Sequence, residues 1–467
     1  MEQSAHTFDY DVCILGGGSA GYAAARTTAA AKLKTVVIEG GEEVGGLCIL
    51  RGCMPTKALL YAAEVHHLAR HPQIFGIEPG DVRFDFAKVM ARKNLLIKGF
   101  ADYRHQQLAD GRFTFIRAHA RFTDEHTVVL DNSRTVSAAH FVISTGSKVA
   151  SSPLPVLDDV GYLTSDSALK LESLPKSIIV LGGGAVALEF AQFFARFGVK
   201  VTLIQRSPHV LQEVDTDAAT VIELAFRREG IEVFTGTKLL SAEQTGHGKS
   251  VTFLHGDQKR SVSADEIFFG LGRVPSTAGL NLEPLGVKTE WGRIVSDERM
   301  RTSVPNIYAA GDCTGPYEIV HIAVQQGEIA GYNIANPAEP RAIDYRLRTE
   351  VVFTEPQIAT VGLTEKEAKT RQVAYRAASY PFNDHGKSLI MNAVDGFVKL
   401  LCDPVSGEIL GGACVGPVGG ELIHEIVAAM HKRMTVRELA AMPHYHPTLA
   451  EIWTYPAEEL ADQVGRF

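Results

Sequence analysis

Cys48 and Cys53 are separated by Ile-Leu-Arg-Gly, preceded by Gly-Gly-Leu and followed by Met-Pro-Thr-Lys. Two thiols at this spacing can close into a disulfide and reopen, moving two electrons per cycle, if one of them is available as thiolate. The run PTKALLYAAEVHHLA, from Pro55, has helical composition, and proline suits a first turn, where its missing N–H has no intrahelical partner to lose. The positive end of that helix is expected to lower a nearby thiol pKa and favour thiolate. Zinc is the competing use of paired cysteines. A structural zinc takes four ligands, usually from close C-x2-C pairs, and no second pair completes the tetrahedron here. The pair therefore reads as redox-active, with no metal expected. The other four of the six cysteines, Cys13, Cys313, Cys402 and Cys414, lie far apart in apolar or glycine-rich contexts and read as buried small hydrophobes.

A second chemical feature lies near the C-terminus, in His444-Tyr445-His446-Pro447-Thr448-Leu449-Ala450-Glu451. Histidine moves a proton to or from a thiol near neutral pH, and a carboxylate can fix its tautomer and raise its basicity. Spacing does not select that reading by itself, since any His and Glu five apart on a surface turn look the same.

Two glycine turns provide sites for nucleotides. Gly16-x-Gly18-x-x-Gly21 follows the apolar run YDVCIL and opens the alanine-rich stretch Ser19 to Ala31, and the next strand, TVVIE, ends at Glu39. In such a strand–turn–helix unit Gly16 allows the tight turn, Gly18 lets backbone approach a pyrophosphate, and Gly21 lets helix pack on strand. Glu39 is placed to accept hydrogen bonds from a ribose. Gly182-x-Gly184-x-x-Ala187 repeats the pattern, but its second strand ends in Gln205-Arg206 instead of an acid. A carboxylate there repels a 2′-phosphate and an arginine attracts one, so NADPH is expected over NADH. A solvated surface role for Arg206 is the alternative, and His209 is not assigned.

Positioning a thiol pair, two nucleotides and a distant histidine takes more than one core. The chain has 467 residues, enough for about three ordinary domains. Hydrophobic residues make up 45% and charged residues 21%, a soluble enzyme's balance, and the net charge of −8 offers no basic field for nucleic acid. No apolar run is long enough to span a bilayer, so no membrane association is expected. MEQSAHTFDYDVCIL lacks the pattern of a secretory leader and reads as a loose tail entering a strand, with a cytoplasmic protein expected. Short strands follow the first unit to FVISTGS, NIYAAGDCT reads as a return to it, and after about Arg346 strands VVFT, GFVKLLC and ILGGACVG precede helices ELIHEIVAAMHK and TVRELAAM.

Together these elements resemble the pyridine nucleotide-disulfide oxidoreductases (dihydrolipoamide dehydrogenase, glutathione reductase, mercuric reductase and relatives), from YDVCILGGGSAG to HPTLAE. The family pattern G-G-x-C-x4-C-x-P-[ST]-K is matched by Gly45-Gly46-Leu47-Cys48 through Cys53, Pro55, Thr56 and Lys57. The resemblance implies FAD in the first unit. It makes Cys48 the thiol that attacks a substrate disulfide, Cys53 the thiol facing the flavin, and Lys57 a neighbour of flavin N5 steadied by Glu189. Thr145-Gly146 resembles the point where the chain leaves the FAD domain. Ala310-Gly311-Asp312 resembles the second FAD motif, with Asp312 on the ribityl chain, and Gly272-Arg273-Val274-Pro275 the segment beside the nicotinamide nucleotide. FTEPQIATVGLTE, from Phe353, opens the interface domain, and His446 and Glu451 match the H-P-T-x-x-E base and its partner, which reach the active site of the other subunit of a homodimer.

The implied fold is α/β, with two Rossmann-like dinucleotide-binding domains and a C-terminal α+β dimerisation domain. The FAD domain (1–150 and 276–345) is split by the NAD(P) domain (151–275), and the interface domain covers 346–467. The implied reaction carries a hydride from NAD(P)H through FAD to the Cys48–Cys53 disulfide and on to a small-molecule or protein-bound disulfide, or the reverse from a dithiol. The acceptor stays open. The tail EELADQVGRF lacks the cysteine pair of mercuric reductases, which also replace the histidine base; yet AVALEFAQFFARFGVKVTLIQRS resembles them, since lipoamide dehydrogenases usually carry Glu at the position of Gln205. Glutathione reductases carry a tyrosine lid at the position of Ala185. An alternative is NADPH-dependent reduction of a non-disulfide acceptor (a metal ion, quinone, or oxidised halogen or thiocyanate species), using Cys48 and bypassing His446. A redox-inactive flavoprotein subunit would need neither C-x4-C nor H-P-T-x-x-E.

Overall fold

A computed structural model describes residues 8–246, 248–315 and 317–465; most of the expected N-terminal tail lies outside the described residues. Two compact units form. The first gathers the segment up to Ala58 with Met90–Ser151 and Gly272–Ile343, and the second gathers Leu59–Val89, Ser152–Leu271 and the segment from Asp344.

In the first unit the apolar run Tyr10–Leu15 is a buried strand paired in parallel with Thr35–Glu39 and Thr135–Ile143. Strands buried on both faces read as unbroken apolar runs, as this one does. Ile307–Ala309 adds in parallel beside Thr135–Ile143, so NIYAAGDCT does return to the sheet of the first unit. The helix Ser19–Ala30 packs against Val320–Ala335 nearly backbone to backbone: a Cβ at Gly327 would lie 2.1 Å from the carbonyl oxygen of Ala20. Small residues on both helices make that approach possible. The result brings Gly16, Glu39, Ser144 and Ala310 to the carboxyl ends of neighbouring strands, where open parallel sheets bind ligands.

In the second unit Ser177–Leu181 pairs in parallel with Lys200–Ile204 and Glu266–Phe269, flanked by an antiparallel three-stranded sheet. A five-stranded antiparallel sheet follows in the order Thr349–Val352, Gln357–Gly362, Ile409–Gly416, Phe397–Cys402, Arg376–Pro381. Its core buries Trp453, Phe382, Ile423 and Ile426 beneath the helix Gly419–His431. Cys13, Cys313, Cys402 and Cys414 are all fully buried, which is the packing role expected of them. No described helix is long and apolar enough to cross a membrane.

Candidate active site

Cys48 lies within the short helix Gly46–Leu50, and Cys53 opens the long helix Cys53–Arg70. Their side chains are hydrogen-bonded to each other. That bond, then burial, then the charge of Cys53 push the Cys48 thiol far above its ordinary range, while Lys57 and Arg104 pull it down. The expectation that a helix N-terminus would govern the pair by lowering a thiol pKa is thus corrected for Cys48. It sits in the middle of a five-residue helix, and Cys53 occupies the N-terminus of the longer one. The bond to Cys53 and burial both favour the protonated thiol at Cys48.

Glycine fixes where the pair sits. Gly46 has φ +68°, and a Cβ there would lie 2.7 Å from Gly18 Cα, so the segment carrying Cys48 rests directly on the first glycine turn. Gly16 has φ +102° and faces the Ser144 carbonyl, and a Cβ at Gly21 would lie 1.8 Å from the carbonyl oxygen of Gly16. Gly18 caps the helix Ser19–Ala30 without a side-chain bond, which leaves first-turn N–H groups for an anion. Glu39 is held by backbone, Oε2 accepting from Gly17 N at 2.8 Å and Oε1 from Gly41 N at 2.7 Å. Further along, Asp312 accepts from Ser147 Oγ at 2.7 Å, and Arg273 donates to Ser147 Oγ and to its carbonyl, both at 2.9 Å. Gly146 has φ +69°, and the adjacent Thr145 Oγ1 is buried without a hydrogen-bond partner. An open helix terminus, a pre-set carboxylate and an orphaned hydroxyl in one unit fit a flavin dinucleotide. Gly46→Ala is accordingly expected to weaken FAD retention about tenfold, since a left-handed backbone alone costs an alanine about 1–2 kcal/mol. Flavin fluorescence released during dilution measures this.

The second fingerprint has the same geometry with one exchange. Gly182 has φ +112° and faces the Gly270 carbonyl; Ala187 is fully buried, and a Cβ at Gly270 would meet its Cβ at 2.8 Å. Gly184 caps the helix Ala185–Arg196 without a side-chain bond. The Gln205 side chain lies against Gly183 as Glu39 lies against Gly17, so a neutral amide occupies the ribose-reading position. Arg206 is exposed and makes no ion pair with the described residues. His209 lies 3.8 Å from Glu223.

Lys57 stands on the Cys53–Arg70 helix within electrostatic reach of Cys48. Glu189, on the helix Ala185–Arg196 of the second unit, is buried and accepts from Phe353 N at 3.0 Å. Sequence reasoning missed Arg104, on the helix Phe86–Leu108. Its guanidinium lies 4.3 Å from the Tyr22 ring centroid, Nε donates to Gln107 at 3.1 Å, and Nη1 is buried without a partner. No local pattern marks an arginine in mid-helix. Only its contacts do.

The C-terminal motif separates into two histidines of different character. His444 is buried, with Nε2 2.5 Å from Glu425 and Nδ1 3.0 Å from the Met442 carbonyl. His446 presents 77% of its side chain, and its Nδ1 lies 2.9 and 3.1 Å from the two oxygens of Glu451. The contact with Glu451 holds Nδ1 and leaves Nε2 facing outward, the arrangement a proton donor to another molecule needs. Among the described residues no cluster could hold a metal ion.

Comparison with known proteins agrees with this geometry. The pyridine nucleotide-disulphide oxidoreductase family matches residues 10–327, and its dimerisation domain matches residues 349–457. Dihydrolipoyl dehydrogenase of Geobacillus stearothermophilus is 34% identical over 452 residues, 96% of this chain and 95% of that protein. Mercuric reductase of Streptomyces lividans is 35% identical over 469 residues, 99% of this chain and 98% of that protein. The crystal structure of LpdA from Mycobacterium tuberculosis superposes with a TM-score of 0.86 at 30% identity, covering 96% of this chain and 99% of that one.

Proposed function

We infer that this chain, which belongs to the pyridine nucleotide-disulphide oxidoreductase family, uses NADPH to reduce a small-molecule or protein-bound disulfide through Cys48 and Cys53. It is a flavin-dependent disulfide oxidoreductase and takes FAD and a pyridine nucleotide. The observation that carries the fuller reading is the Cys48–Cys53 side-chain bond, set on the first glycine turn by the Gly46–Gly18 contact.

Bound FAD would supply two-electron transfer between the nucleotide and the Cys48–Cys53 disulfide. Gly16, Gly18, Gly21, Glu39, Thr145, Gly146 and Asp312 would hold it, and Lys57 would steady charge at it, the role the family pattern pairs with Glu189. Cys48 thiolate then attacks the acceptor disulfide and forms a mixed disulfide, while His446, oriented by Glu451, gives its proton to the departing thiol. Cys53 then attacks the Cys48 sulfur, its thiol proton passes through His446 to the second departing thiolate, and the intramolecular disulfide is restored. Two electrons and two protons reach the acceptor, and the same steps reversed oxidise a dithiol. The division into FAD (1–150, 276–345), NAD(P) (151–275) and interface (346–467) domains underlies this scheme, as does a homodimer in which His446 serves the other subunit's thiols. Six cysteines with no scaffolding role suit a reducing cytoplasm. Steady-state turnover against lipoamide, glutathione disulfide and related disulfides, with each nucleotide, tests the assignment; no turnover of any disulfide or dithiol overturns it.

The neutral Gln205, and Arg206 with no ion pair among the described residues, favour NADPH at Gly182, Gly184 and Ala187. Arg206→Ala is expected to lower kcat/KM for NADPH about tenfold and leave NADH nearly unchanged, the worth of one charge-assisted phosphate contact. A wild-type preference for NADH would overturn the choice. Reduction of a non-disulfide acceptor is the second reading, favoured by the match to a mercuric reductase along nearly its whole length. It would survive His446→Ala, whereas disulfide reduction would not.

A further inference from the structure

Beneath the exposed His446–Glu451 pair lies a second imidazole. His385 is fully buried, and its Nε2 sits 3.4 Å from Oε1 of Glu451. Its Nδ1 is 2.8 Å from the hydroxyl of Ser388, which is also fully buried. Glu451 is thus held between two histidines, one facing solvent and one facing the core. The Nε2 contact is not aligned as a hydrogen bond, and this nitrogen has no other partner among the described residues. A buried polar nitrogen left with a single carboxylate neighbour calls for an account, because unsatisfied buried groups are costly.

Two tautomers are available to His385. With the proton on Nδ1, the Nε2 lone pair would face a carboxylate oxygen at 3.4 Å, which is repulsive. With the proton on Nε2, Nδ1 accepts from Ser388 and the Nε2–H has a carboxylate oxygen as its nearest charged neighbour, an attraction through space and not an aligned hydrogen bond. The second arrangement wins. Burial also lowers the ring's pKa, although Glu451 opposes this. A neutral donor serves Glu451 differently from a cation. It supports the carboxylate's negative charge without cancelling it, so the charge remains to act on His446.

We propose that His385 is a positioning residue for the catalytic acid–base: its ring, anchored by Ser388, sets the place of Glu451, and Glu451 in turn orients the imidazole of His446. The idea rests on the reading of His446 as the thiol's proton donor. Other titratable groups lie around the cluster. Tyr455 stands edge-on to His385 at 6.3 Å and stacks on Tyr380 at 3.9 Å. Tyr380 is bonded to Asp384 and pushed up to about 12, first by burial and then by that bond. The His444–Glu425 pair is closed on itself.

The test is the pH profile of kcat/KM for the disulfide acceptor, measured with the FAD-loaded enzyme. His385→Leu removes the donor and keeps apolar bulk. The acid–base limb is expected to move to lower pH by about one unit, because a Glu451 no longer aimed at His446 stabilises an imidazolium less. Acceptor turnover at neutral pH is expected to fall about tenfold, while NADPH-to-flavin reduction stays at the wild-type rate. His385→Gln places an amide N–H near the position of Nε2 and is expected to restore the limb. Ser388→Ala, which frees the tautomer, is expected to shift it partway and provides the reading if His385→Leu does not fold. His446→Ala is run beside them. If the limb persists in that variant, the proton-donor reading fails and takes this proposal with it. If the limb vanishes there but His385→Leu and Ser388→Ala retain the wild-type profile, the positioning role alone is overturned.

Discussion

Cys48→Ser is expected to reduce disulfide-acceptor turnover by at least about 10⁴-fold, because it deletes the atom that forms the mixed disulfide. Stopped-flow reduction of the flavin by NADPH is expected to stay within a few-fold of wild type, since hydride transfer precedes any chemistry at sulfur. The spectra distinguish the two thiols. In wild type the Cys48–Cys53 side-chain hydrogen bond drives the Cys48 pKa upward, while Lys57 acts in the opposite sense. If Cys53 is the flavin-facing sulfur, as proposed, Cys48→Ser is expected to show a long-wavelength thiolate–flavin band in the oxidised enzyme without reductant. In Cys53→Ser that band is expected to be absent even after two-electron reduction. If both single variants reduce disulfides at wild-type rates, the dithiol is not the route.

His446→Ala is expected to cost about 10²–10⁴-fold in acceptor turnover, the usual worth of a positioned general acid, again with flavin reduction spared. Glu451→Gln keeps the shape of the contact and removes its charge. A smaller loss of about tenfold is expected, because the imidazole stays in place but is less basic. Mixing chains tests whether the site is shared. In a heterodimer of a Cys48→Ser chain with a His446→Ala chain, a shared arrangement leaves one site with both its thiol and its histidine. About half the wild-type activity per dimer is then expected, from two chains that are each inactive as homodimers. Wholly inactive hybrids, or a fully active monomer in sedimentation, would remove the shared site.

What the sequence determined by itself was local grammar. Gly16, Gly18 and Gly21 after an apolar run, and the same turn at Gly182, could be read because a phosphate-binding turn needs its glycines at fixed offsets along one segment. The redox pair was legible for the same reason, as both sulfurs and the following Pro55 and Lys57 fall within one short stretch. The lone cysteines were read from their apolar neighbours, and each is fully buried. His446 and Glu451 were visible as residues but ambiguous as chemistry, and the family pattern was needed to choose between His444 and His446.

Tertiary structure decided what depends on residues far apart in the chain. His444 turns inward to Glu425 and His446 outward over Glu451, a difference that depends on where the helix Gly419–His431 lies. Gly46 meets Gly18 across 28 positions of sequence, and nothing in either motif announces the contact. Arg104 beside Tyr22, and His385 beneath Glu451, carry no local signature, because a side chain's electrostatic role is set by whatever the fold brings against it. The thiol pKa shows this most directly. A helix terminus read from sequence pointed downward for the pair, yet hydrogen bonding between the two sulfurs and their burial sent Cys48 upward. Offsets along one segment fix backbone geometry, whereas charge, burial and partner choice are properties of the assembled chain.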